Sequence, residues 1–150
     1  MDHALELVFA TYPSWSHLVV RIALGIIFVA HGGQKVLGWF GGPGLAGTIK
    51  MFQGMGIPPA AAVTAAFVEL LGGWALVLGL LARPAALGII VIMVVAIAQV
   101  HAKHGFFMQG KGGPGFEFNF ALIAMAASIV IGGAGIFSLD HRIWLATTPP

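Results

Sequence analysis

The sequence predicts an all-α membrane protein, a single domain over residues 1–150 built as an antiparallel four-transmembrane-helix bundle, and three observations carry that expectation. Apolar residues make up 59% of the chain, charged residues only 8%, and mean hydropathy is +0.97, far from the balance of a soluble domain. Four apolar stretches, about 18–37, 60–82, 84–100 and 118–135, come close to or reach the ~20 residues needed to cross a hydrocarbon layer. The second and third are separated by little more than Arg83-Pro84, which admits only an antiparallel hairpin, whereas the other two connections run to about twenty and seventeen residues. Both long loops therefore lie on one side.

The same composition excludes several classes of function. Seven Lys and Arg against five Asp and Glu leave a formal charge of +2 with no basic run, so no nucleic-acid surface is expected. Without cysteine there is no disulfide, thiolate metal site, iron–sulfur cluster or covalent haem attachment. Asp2 and Glu6 replace the basic region of a signal peptide, so the N-terminus is expected to be retained.

Along the chain, residues 4–15 carry Leu5, Val8, Phe9, Tyr12 and Trp15 in the manner of a short interfacial helix. The first span follows and ends in His31, Gln34 and Lys35. In the first long loop Leu45, Ile49, Phe52 and Met55 recur at helical spacing, predicting a second interfacial helix. The second span, from Ala60 to Ala82, contains a lone carboxylate, Glu69, whose place at mid-depth costs roughly 3 kcal/mol and marks a candidate functional residue. The third span ends in Gln99, His101 and His104, and the second long loop offers Phe106, Phe107 and Met108. The fourth opens with Glu117 and Asn119. Gly-Gly-Pro-Gly occurs in both long loops, at 41–44 and 112–115, a weak hint of duplication. Tyr12, Trp15, Trp39 and Trp144 fall where an aromatic belt is expected, while Arg21, Arg83 and Arg142 on one side against Lys35, Lys50, Lys103 and Lys111 on the other leave orientation undecided by charge.

Alternating helix direction brings the polar ends of all four spans to one membrane face. His31, Gln34 and Lys35 share a helix face, and small residues around Glu69 and along Glu117, Ala121, Ala124, Ser128 and Gly132 point both glutamates toward the bundle interior. The expected arrangement is a polar pocket with Glu69 at its floor, open toward the long loops. Simpler readings stand beside it: Glu69 as a structural partner of Lys35 or Arg21, or protonated against a backbone carbonyl; His101 and His104 as solvated interfacial residues; Glu117 as a first-turn acid; Arg21 as a snorkelling side chain. His3, His17 and His141 have no constellation around them.

In this order and spacing, Arg21-x3-Gly25, Ala30-His-Gly-Gly-Gln-Lys35, Gly38-Trp-Phe-Gly-Gly42, Gly56-Ile-Pro58, Val68-Glu-Leu-Leu-Gly-Gly73, Gly79-Leu-Leu-Ala-Arg83, His101-x2-His104-Gly-Phe-Phe107, Glu117-Phe-Asn119, Gly133-x-Gly135 and Ser138-Leu-Asp140 resemble the DoxX family of small four-helix membrane proteins, over nearly the whole chain. That family takes its name from a subunit associated with an archaeal terminal quinol oxidase and with thiosulfate:quinone oxidoreductase. The resemblance implies redox work at the quinone pool, in the cell (inner) membrane, with both termini cytoplasmic and the pocket on the outer side.

Quinol oxidation needs proton acceptors where a lipid-soluble ring can enter, and imidazole and carboxylate supply them. The leading expectation is a quinone/quinol site with His31, Glu69 and Glu117 as catalytic, proton-handling residues and His31, Lys35, His101 and His104 as ligand-binding ones. No flavin or nucleotide fingerprint is present, so electrons would pass to a partner subunit of a larger redox complex and the chain would not be a complete enzyme alone. Homo-oligomerisation is left open. Two alternatives remain: a b-type haem between His31 and His101, or a metal ion on His31, His101, Glu69 and Glu117; and a non-catalytic anchor or assembly subunit.

Overall fold

The structure is a computed structural model and describes residues 3–109 and 112–147. Asp2 and Lys111, weighed above for processing and orientation, lie outside those residues, as do the side chains of His3 and Leu5. The described residues are all-helical, without a strand: α1 (His3–Phe9), α2 (Trp15–Leu37), α3 (Gly44–Gly54), α4 (Pro59–Leu78), α5 (Ala82–Ala96), α6 (Glu117–Gly132) and α7 (Leu139–Thr147). Both expected interfacial segments are helical, as α1 and α3.

Among the described residues three helices are long and apolar enough to cross a membrane: α2, α4, and α5 with its continuation to His104. The fourth apolar helix, α6, has 16 residues. Helix ends follow local chemistry. Ser14 begins α2 by accepting the His17 N–H, and Gly38, at φ 73°, ends it in the left-handed region that glycine enters freely. Pro58 and Pro59 start α4, where a missing N–H costs nothing. Gly79, at φ 65°, stops α4 before the expected end at Ala82, because the chain must reverse before Leu81 and Ala82 can open α5. Past Ala96 the helix widens into one π-helical turn, Ile97–His101.

Packing is centred on α2 against α4 and α5 against α6. Leu24, Phe28, Leu76, Ile89, Leu122 and Ile129 form the middle of the core. The α2–α4 approach is backbone on backbone: a Cβ on Gly32 would land on the Leu70 backbone, and one on Gly73 would collide with Val29 N. Ala62, Ala65, Ala66, Gly72 and Gly73 are all buried on the Glu69 face, as small residues at a helix contact should be. Gly32→Ala should therefore force α2 from α4 and cost about 1–3 kcal/mol, seen as a lower unfolding midpoint in detergent. An unchanged midpoint would contradict the close approach.

On α6 the small-residue expectation holds only at the C-terminal end. Ala121 and Ala124 are exposed, and the inward face is Asn119, Leu122, Ala126, Ile129 and Gly132. Gly132 leaves no room for a Cβ beside the His17 ring, whereas Leu122 and Ile129 carry the contact nearer the middle of the helix. Arg21 is a second correction: it does not snorkel but is fully buried. Its guanidinium donates to the carbonyls of Leu76, Val77, Ala134 and Phe137, closing the C-terminal end of α4 and the turn after α6. Beside it the Asp140 carboxylate accepts the Leu81 and Ala82 N–H groups, each at 2.8 Å, and caps α5 from a segment almost sixty residues away in the chain.

Candidate functional site

At the end of the bundle opposite Arg21, a cavity of about 280 Å³ opens among α2, α4, α5, α6 and the two long loops. Its polar lining is short: His31 and Lys35 from α2, Glu69 from α4, Gln99 and His101 from the π turn, and Asn119 from α6. Four of the six residues singled out from the sequence, His31, Lys35, Glu69 and His101, thus share one space. Glu117 and His104 do not line it.

Each polar group is held by local structure. Lys35 sits in the last turn of α2, where buried Thr48 of α3 donates to its carbonyl at 3.0 Å. Its ammonium is ion-paired with Glu69 Oε1. The Lys35 side chain remains 21% exposed against 2% for Glu69, whose Oε2 has no partner and no contact with solvent. The pair is neutral overall, which answers how α4 tolerates a carboxylate at this depth.

His101 ends the π turn, and its Nδ1 lies 2.9 Å from Pro114 O. A carbonyl only accepts, so Nδ1 carries the proton and Nε2 of the neutral ring is an acceptor. His31 lines the cavity and is exposed. The Asn119 amide donates to Met93 Sδ at 3.4 Å.

Glu117 instead accepts the Met108 N–H at 2.7 Å. With backbone bonds from Gly115, Phe116 and Glu117 to Phe107, Gly105 and Phe106, it folds the second long loop back on itself, which sets Met108 and Pro114 on the cavity wall. The His104 ring lies against Gly113, where an added Cβ would meet it at 3.0 Å. Among the described residues no three His, Asp or Glu side chains come together as a metal-binding group.

The apolar wall includes Phe52 and Met55, which the sequence assigns to an interfacial helix. Phe52, Met55 and Ile57 of the first long loop and Phe118 of α6 all face the cavity. The 3.6-residue period of α3 showed that it has an apolar face but not that a cavity rather than lipid lies beneath it.

The DoxX family profile matches residues 16–102, more than half of the chain. Similar curated proteins include "Putative oxidoreductase CatD" of Bacillus subtilis (strain 168), 29% identical with 85% of this chain and 86% of the relative covered. "Inner membrane protein YqjF" of Escherichia coli (strain K12) is 28% identical over 84% and 90%. "Inner membrane protein YphA" of the same organism is 30% identical over 83% and 88%. No solved structure matches.

Proposed function

The chain belongs to the DoxX family of membrane proteins, and from that premise we propose that it is the membrane subunit of a quinone-linked oxidoreductase, binding the quinone or quinol ring in the Lys35–Glu69 cavity. One observation carries this reading: the Lys35–Glu69 ion pair and two histidines, with Gln99 and Asn119, share a chamber whose remaining walls are apolar. A ring of that kind is flat and apolar with oxygens at its edge, and such a chamber complements it. A relative whose name is that of an oxidoreductase supports the redox direction. His31 or His101 meets one ring oxygen, the ion pair balances charge, and protons pass by way of imidazole and carboxylate. Glu117 shapes the wall. Electrons go to a partner subunit in a larger complex.

The fold proposed with it has four membrane crossings, both termini in the cytoplasm and the cavity on the outer side. At about 1.5 Å per residue, α6 spans roughly 24 Å of a ~30 Å hydrocarbon layer, a mismatch that local thinning accommodates. Purified from native membranes, the protein should carry quinone detectable by lipid extraction and mass spectrometry, and His31→Ala should lower that occupancy about tenfold. Absence of quinone from preparations of the intact complex would sink the reading.

The arrangement of His101 favours one alternative. A ring held through Nδ1–H on a carbonyl, with Nε2 unprotonated, is how haem- and metal-ligating histidines are oriented, and His31 lines the same cavity. A Soret band in the purified protein would support a b-type haem there, and a flat spectrum at full occupancy would exclude it.

A further inference from the structure

Resting on the quinone reading above, we infer that the ligand's oxygen meets the ammonium of Lys35 and not the carboxylate of Glu69, so that the pocket prefers the oxidised, carbonyl-bearing ring to its dihydroxy form. The two partners of the ion pair present unequal faces to the cavity. Glu69 is 2% exposed, its Oε1 is taken by Lys35, and its Oε2 is closed off without a partner. Lys35 is 21% exposed on the cavity wall and has two further N–H donors. Glu69 is a positioning residue: its charge holds the ammonium at the wall, and Thr48 fixes the α2 turn that delivers it.

An ammonium has donors only, and its natural partner is a carbonyl lone pair. The opposing influence is His101, whose Nε2 suits a hydroxyl when the ring carries its proton on Nδ1 alone. Hydrogen bonds to a charged donor are roughly twice as strong as those between neutral groups, so the Lys35 contact sets the preference. Asn119 adds little, because its amide is turned toward Met93 Sδ.

The test is anaerobic binding of a short-chain ubiquinone analogue, oxidised and reduced, to the purified protein in nanodiscs. The oxidised form should bind ~10-fold more tightly. Equal or tighter binding of the reduced form would overturn the inference and leave the quinone reading intact, whereas no binding of either form would remove the quinone reading and the inference with it. Lys35→Met alone strands a buried carboxylate, so the second measurement uses the Lys35→Met/Glu69→Gln pair. There the ratio between forms should collapse to within about twofold, and Lys35→Arg should keep it. A merely structural role for Lys35 would weaken both forms alike and preserve the ratio, which would overturn the assignment.

Discussion

Arg21→Met is expected to cost about 3–5 kcal/mol and to leave little folded protein in detergent at 37 °C, because it removes the fully buried cation beside Asp140 and leaves only the weaker pull of Arg83 on that carboxylate. Four carbonyls, Leu76, Val77, Ala134 and Phe137, lose their donor together. Arg21→Lys should recover only part, since an ammonium cannot span donors arranged around a planar guanidinium. The deficit should also depend on pH. Burial pushes the Asp140 carboxyl above its ordinary 3.8, against the pull of the Ala82 and Leu81 N–H groups, Arg21 and Arg83. A native value above the unfolded one means that the folded protein binds the proton more tightly. The associated stability is then complete below 3.8 and lost as pH rises through the native value. Removing Arg21 widens that window, so the deficit of Arg21→Met should grow from pH 4 to pH 7. Unfolding midpoints measured at both pH values decide it, and an equal deficit at each would show that Arg21 does not act through Asp140.

How much of this was legible in the sequence differs between the fold and the site. The helices follow from apolar runs punctuated by Ser14, Gly38, Pro58, Pro59 and Gly79, all local signals. Glu69 was visible because a charge in an apolar run is rare, and its pairing with Lys35 was one of a few arrangements open to it. The role of Arg21 was hidden, since a basic residue seven positions inside a helix looks the same whether it snorkels or is enclosed. What encloses it are carbonyls from 55 to 116 residues away. Glu117 was misplaced for a related reason: the residue it engages is the Met108 backbone in an irregular loop, where no side-chain period exists to read. Helix periodicity resolves faces, but not what lies across from them.

The Lys35–Glu69 pair should give strongly non-additive energetics. Lys35→Met leaves the Glu69 carboxylate 2% exposed with neither oxygen partnered, and should cost about 3–5 kcal/mol. Glu69→Leu leaves an ammonium that is already 21% exposed to the cavity and can turn toward it on its flexible stem, so the cost should be smaller, about 1–3 kcal/mol. The double replacement removes both charges and should fall well short of the sum, because neither desolvated group is left behind, giving a coupling of at least about 1–3 kcal/mol. A chamber kept only for packing would favour the double variant, as apolar isosteres of buried ion pairs are often neutral or stabilising. If that variant is stable yet no longer retains quinone, the charges serve ligand binding rather than the fold. Additive costs in the cycle would instead show that Lys35 and Glu69 do not depend on each other, and the neutral-pair account of a carboxylate within α4 would have to be abandoned.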